Sequence, residues 1–253
     1  MACVAKSVLQ RQLDDKEKMS HGFETTNVVS VICHPELVSG SILMGIALAI
    51  PNPCDNILEI KYMSKNILIC GVGGQGTVLA AKVLSQAAIS NGERVLSAET
   101  IGMAQRGGSV VSHVRIGSDV FSPLVPQGQA DILIAFEAAE AVRNIDFLKK
   151  DGTVIVNKKV VQPVTASLSG KVFKPEEMIS YLEKRASKVI AVDTDQACRD
   201  LRSSKVVNMV LLGAASKSGL VSKDELKAAI KLLVKPDFYE LNVRAVDYCF
   251  NEA

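Results

Sequence analysis

The sequence predicts an α/β protein: a three-layer α/β/α sandwich on a mostly parallel, mixed sheet, with a Rossmann-like Gly-rich turn after the first strand. Three observations carry this reading. From Met63 onward, short apolar runs of strand length alternate with longer helical patterns. The first run, Ile67-Leu68-Ile69-Cys70, is apolar at every position, as a parallel strand covered on both faces requires. It leads straight into Gly71-Val72-Gly73-Gly74-Gln75-Gly76, a G-x-G-x-x-G turn at the start of a helix.

The elements follow in order. Gly76 to Asn91 is Ala-rich with apolar residues three and four apart, a helix ended by Asn91-Gly92. Arg94 to Ala98 is a second strand, and Ser109 to Ile116, rich in β-branched residues, is a third. Gly117-Ser118-Asp119 then reads as a turn, pairing the third strand with Val120-Phe121 in a hairpin, which makes the sheet mixed. Asp131 to Phe136 is a strand, Glu137 to Leu148 a helix, and Thr153 to Asn157 a strand after a Lys-Lys-Asp-Gly turn. The helix Pro175 to Ser187 precedes the last strand, Lys188 to Val192; Ser204 to Lys217, Ser222 to Leu233 and Asn242 to Asn251 read as helices.

Residues 1–62 have a different texture. A polar, charged stretch from Arg11 to Glu24 is followed by apolar patches broken at His34-Pro35 and Pro51-Asn52-Pro53, with no sustained period of 3.6 or 2. The expectation is a disordered or spurious upstream extension, leaving one domain over residues 63–253. The extension carries 5 basic and 7 acidic residues, so the remainder, with 24 and 20, is mildly basic.

Composition narrows the function classes. Of 253 residues, 48% are hydrophobic and 22% charged, which excludes wholesale disorder. A net charge of +2, 4% aromatics and no Trp exclude the strongly basic, aromatic-studded surface of a dedicated nucleic-acid binder. The longest apolar run, Ile42 to Ile50, is about half the ~20 residues of a bilayer-spanning helix, and no leader of the secretory kind stands at the N-terminus. A cytoplasmic protein with neither nucleic acid nor membrane as partner is expected. The six cysteines, at 3, 33, 54, 70, 198 and 249, include no Cys-x-x-Cys pair, and His21, His34 and His113 have no ligand spacing. They read as reduced thiols, with Cys70 a small core residue.

Two constellations bear on chemistry. Glycines in the first turn, Gly71, Gly73, Gly74 and Gly76, with Gln75, permit close approach of a ligand to the backbone and aim helical N–H groups at an anion. The same turn also serves helix–sheet packing, and both readings stand. Glu99, ending the second strand, sits where a nicotinamide-binding protein keeps its ribose-holding acid. The second constellation is the loop leaving that strand, with Gln105, Arg106, Gly107 and Gly108: an always-charged fork beside flexible backbone, suited to carboxylate or phosphate and equally to a subunit interface. No acid–base set is apparent, and Asp193, Asp195 and His113 read as structural. Ten Lys or Arg against five acids between Arg143 and Lys188 form either a solvated face or a steering surface for phosphates or an acidic protein, with Lys158 and Lys159 the most suggestive.

NILICGVGGQGTVLAAKVL, ETIGMAQRGGSVVSHVRIG and ADILIAFEAAEA, in that order, closely resemble the gamma domain of the 2-oxoacid:ferredoxin oxidoreductases. The GMAQRGGSVVSHVR form is similar to the indolepyruvate branch of that family rather than the pyruvate branch. The resemblance runs from about Ile67 to the C-terminus, where VVNMVLLGAAS and YELNVRAVDYCF place Asn208 and Asn242 at matching polar positions; it does not include residues 1–62. It implies a subunit of an enzyme that decarboxylates an aryl 2-oxoacid on thiamine diphosphate, passes electrons through 4Fe-4S clusters to ferredoxin, and transfers the acyl group to coenzyme A. This chain lacks closely spaced cysteines and a Gly-Asp-Gly motif for magnesium and diphosphate, so thiamine diphosphate, Mg and clusters are expected on a large alpha subunit. Coenzyme A is the one cofactor for which this chain offers a candidate cradle. Without the resemblance, the alternatives are a free-standing NAD-dependent dehydrogenase using Gly71 to Gly76 and Glu99, or a nucleotide-binding regulatory module.

Overall fold

A computed structural model describes residues 64–99, 107–162 and 174–251; the extension 1–62 and the pair Gln105-Arg106 lie outside the described residues. Six strands, β1 (Lys65–Val72), β2 (Val95–Glu99), β3 (Ser109–Ile116), β4 (Ala130–Ala135), β5 (Leu148–Asn157) and β6 (Lys188–Val192), form one sheet in the order β2-β3-β1-β4-β5-β6. β1, β4, β5 and β6 run parallel, whereas β3 is antiparallel to both of its neighbours. The helices are α1 (Thr77–Ser90), α2 (Ala138–Asn144), α3 (Pro175–Glu183), α4 (Thr194–Asp200), α5 (Val207–Ser216), α6 (Lys223–Leu233) and α7 (Pro236–Asn251).

The alternation along β1 divides the core into two layers. Ile67 and Ile69 join Ile132, Ile134, Val114 and Ile155 on one face, under α1, α5, α6 and α7. Leu68 and Cys70 join Leu133, Ala135, Val154 and Val156 on the other, under α2 and α3. Both faces are therefore dry, and residues 67–70 of β1 and 132–135 of β4 are apolar for that reason. Local chemistry sets the helix starts: Ser222 and Glu225 close a capping box on α6, and Pro175 occupies the first turn of α3, where its missing N–H has no cost.

Two expectations are corrected. The hairpin of Ser109–Ile116 with Val120-Phe121 does not form, because both edges of β3 are already taken by β1 and β2. Val120 turns into the core instead, and Phe121 lies exposed with the Arg94 guanidinium 5.8 Å from its ring centre. The Lys149-Lys150-Asp151-Gly152 stretch is a bulge inside β5 rather than a turn before it: Ala130 faces Leu148, and Ile132 already faces Thr153.

The β3–β4 connection is pinned by a buried histidine. The Val125 N–H donates to His113 Nδ1 at 3.2 Å, so this nitrogen carries no proton, and the Phe147 ring stands edge-on to the imidazole at 6.0 Å. Burial lowers the His113 pKa from its ordinary value. A folded pKa below the unfolded one contributes stability that is whole above pH ~6.5 and is lost as pH falls below it, since the unfolded chain then takes up the proton first. Melting temperature should step down from pH 7 to pH 5 in the wild type, and a His113→Gln variant should lack that step.

Candidate functional site

The carboxyl ends of β1, β4, β5 and β6 share one edge of the sheet. The connection from β1 passes to the α1 face and that from β4 to the α2 face, so the crevice of the fold opens between them. A cavity of about 430 Å3 lies at that edge, lined by Gly74, Gln75, Gly76, Asn157, Lys159, Ser204, Lys205, Val207 and Asn208. A second, of about 410 Å3, continues from it past Asn157, Lys159, Lys158 and Gln162 toward Pro175, Asp193 and Asp195.

The Gly-rich turn divides its labour residue by residue. A Cβ on Gly71 would come within 2.7 Å of Gln75 Oε1 and 2.9 Å of Phe136 Cβ, so this glycine answers to packing. The Gln75 side chain accepts the Val72 N–H at 2.8 Å and closes the turn on itself. Gly74, at φ +100°, is exposed with nothing near its Cβ position, and Gly76 caps α1 at φ +87° with the Asn208 amide against it. The first N–H groups of α1, which have no intrahelical partner, follow directly on the Gly74–Gly76 lining of the cavity.

The two predicted loops are brought together by backbone. The Gly73 N–H donates to the Gly108 carbonyl at 2.8 Å, and the Gly107 N–H donates to the Gly73 carbonyl at 3.3 Å. Gly73 is therefore a bridge to Gly107 and Gly108, and its own N–H is not available to a ligand. Glu99 is elsewhere. It pairs with Ser112, which pairs with Ile69, so it sits two strands from β1 at about 4.8 Å each and level with Ile69 rather than with the turn. A dinucleotide fold has its second strand directly beside the first; here β3 intervenes, and the ribose-holding arrangement of a dehydrogenase is not formed.

Residues with no role in the sequence reading complete the walls. Asn157, buried, donates to the Phe136 carbonyl at 3.1 Å and accepts from the Thr194 hydroxyl at 2.9 Å and the Lys159 N–H at 3.2 Å. Two buried carboxylates stand on the first turn of α2. Glu140 accepts from the Ser109 hydroxyl at 2.5 Å and pairs with Arg143, tying β3 to α2. Glu137 caps α2, and burial raises its pKa from the ordinary value against the pull of the Glu140, Val161 and Ala139 N–H groups. In sequence both look like ordinary helix-start acids. Asn208 lines the cleft, whereas Asn242 is spent on the Phe238 carbonyl one turn back in α7.

Five of the ten basic residues in the stretch are paired locally. Arg143, Lys149, Lys159, Lys174 and Arg185 pair with Glu140, Asp131, Asp195, Glu177 and Asp146. Lys158 and Lys159 reach the second cavity, where Asp193 and Asp195 also stand, and Lys159 and Lys205 reach the first. Asp193 caps α4 through the Asp195 and Gln196 N–H groups. Among the described residues, no three His, Cys, Asp or Glu side chains gather where they would hold a metal ion, and no helix is long and apolar enough to cross a membrane.

Residues 66–252 match the family model for pyruvate ferredoxin/flavodoxin oxidoreductase. The chain is 38% identical over 186 residues to the indolepyruvate oxidoreductase subunit IorB of Thermococcus kodakarensis, covering 72% of this chain and 92% of that one. It is 29% identical over 178 residues to the pyruvate/ketoisovalerate oxidoreductases common subunit gamma of Pyrococcus furiosus, covering 69% and 89%. The crystal structure of a keto/oxoacid ferredoxin oxidoreductase gamma subunit from Geobacter sulfurreducens matches with a TM-score of 0.54 at 28% identity, over 74% of this chain and 96% of that one.

Proposed function

The chain belongs to the pyruvate ferredoxin/flavodoxin oxidoreductase family, and from that premise we propose that it is the small subunit of an indolepyruvate, or aryl pyruvate, ferredoxin oxidoreductase. The complex would decarboxylate an aryl 2-oxoacid oxidatively to its acyl-coenzyme A in the cytoplasm, with ferredoxin as acceptor. Higher identity to an indolepyruvate subunit than to a pyruvate-type gamma subunit supports the aryl branch. Thiamine diphosphate, Mg and the 4Fe-4S clusters belong, in this reading, to the large alpha subunit. This chain contributes the coenzyme A cradle, and the observation that carries it is the cavity between the Gly74–Gly76 turn and Lys159, Lys205 and Asn208. The α1 N–H groups and the two lysines suit phosphate oxygens, and Gly74 leaves room for them to approach the backbone.

Arg106 adjoins the Gly107–Gly73 bridge and is proposed as a further anion or subunit contact. The test is calorimetry with coenzyme A on the co-expressed complex. Gly74→Val and Arg106→Ala should each weaken affinity about 30-fold or more, on the scale of a lost charge-assisted contact. Wild-type affinity and turnover in both variants would remove the cradle from this chain.

A further inference from the structure

We propose that Glu137 is a positioning residue of the cleft, whose buried carboxylate holds the Lys158-Lys159 segment in place from the first turn of α2. The inference rests on reading the cleft as an anion site. Capping a helix takes one acceptor oxygen, and short side chains such as Asp or Ser do it well. Glu137 uses both oxygens, and the second reaches beyond the helix: Oε2 accepts the Glu140 N–H at 2.9 Å, and Oε1 accepts the Val161 N–H at 3.0 Å. The same turn takes a second hold, because the Ala138 N–H donates to the Lys159 carbonyl at 3.2 Å.

Lys159 is thereby held on both sides of its peptide: its carbonyl by Ala138, its N–H by Asn157 Oδ1 at 3.2 Å. Val161, two residues on, is held by Glu137. From this fixed backbone the Lys159 ammonium lies 2.9 Å from Asp195 and lines both cavities. A buried carboxylate is a costly way to cap a short helix unless its second oxygen is also used. That second oxygen sets where the lysine wall stands relative to the Gly-rich turn across the cavity. A carboxylate accepts two N–H groups at once, whereas a carboxamide has a single acceptor oxygen and would turn its NH2 against one of them.

Glu137→Asp separates capping from positioning. Aspartate keeps the cap and is one methylene, about 1.5 Å, too short to reach Val161. In the full-length chain, three quantities are measured: melting temperature, amide exchange of Val161, and calorimetric affinity for coenzyme A and for inorganic pyrophosphate. The expected result is a melting temperature within about 3 °C of wild type, Val161 exchange at least about tenfold faster, and affinity at least about tenfold weaker. Unchanged Val161 exchange overturns the proposal, and so does faster exchange with intact affinity, which would mean a cap and nothing more. Should Glu137→Asp melt more than about 10 °C lower, Val161→Pro removes the donor from the other side and leaves α2 untouched; retained affinity in that variant overturns the proposal. Should the wild type bind neither probe, the anion reading falls on its own. The inference about Glu137 is then decided by Lys159 acetylation followed by mass spectrometry, which should run several-fold faster in Glu137→Asp and overturns the proposal if it does not.

Discussion

Gly213→Ala is expected to lower the melting temperature by about 5–10 °C, although alanine is the better helix former. Gly213 lies in the buried α5, and a Cβ there would stand 2.4 Å from the Val246 carbonyl oxygen and 3.1 Å from the Val246 C and Cα atoms. All three are backbone of α7, so no flexible side-chain end can yield; the helices themselves must separate. Ordinary contact begins near 3.4 Å, which demands a shift of roughly 1 Å between two elements that pack along the same face of the sheet. Overpacking of that kind costs on the order of 2–3 kcal/mol after the ~1 kcal/mol gained in helix propensity. Asn208 sits five residues earlier on the same helix and lines the cleft, so coenzyme A affinity should fall alongside stability. Gly219→Ala, at φ +76° in open space, is the control and should cost only about 1 kcal/mol of backbone strain. Equal melting temperatures for Gly213→Ala and wild type would mean that the α5–α7 contact has slack.

The central parallel strands were legible because burial on both faces leaves no polar residue at 67–70 or 132–135: β1 and β4 read from composition alone, and β6 falls on its predicted bounds. The place of β3 was not legible. Its β-branched run marks a strand, but an interior antiparallel strand and one arm of a hairpin look alike until its partners are known. α4 was missed because Thr194–Asp200 is short and mostly polar, held by Asp193 as its cap and by few apolar contacts. At the site, the Gly-rich turn was visible, and its division of labour was not. Whether a glycine answers to packing, as Gly71 does, or leaves open space, as Gly74 does, depends on neighbours such as Phe136, which only the fold brings near. The joining roles of Asn157, Glu137 and Glu140 carried no local signal, since the partners that define them stand 21 to 37 residues away.

Asn157→Ala is expected to produce a loss of similar size, about 10 °C in melting temperature, together with at least a tenfold loss of anion affinity. Asn157 ends β5 and joins three neighbours: the Phe136 carbonyl after β4, the Thr194 hydroxyl at the start of α4, and the Lys159 N–H. Alanine strands all three. Each buried polar group left unpaired costs about 1–3 kcal/mol, with some returned by water entering the space vacated. Because Asn157 lines both cavities, the stranded Lys159 N–H also frees the lysine wall, so affinity and stability fall together here, unlike in Glu137→Asp. Asn157→Asp separates the two duties. It keeps an acceptor for Thr194 and Lys159 but sets a carboxylate against the Phe136 carbonyl where an N–H donated before. That repulsion raises the pKa of the introduced acid in the folded state above its unfolded value of about 3.9, so the folded chain binds its proton first. The deficit of Asn157→Asp relative to wild type should therefore be greatest at pH 7 and shrink as pH falls toward 4, where the protonated carboxyl again donates to Phe136. The Asn157→Ala deficit, lacking any titrating group, should not vary with pH. Melting curves of the three proteins between pH 4 and pH 8 decide it: parallel deficits for the two variants would mean that the Phe136 carbonyl does not need its donor.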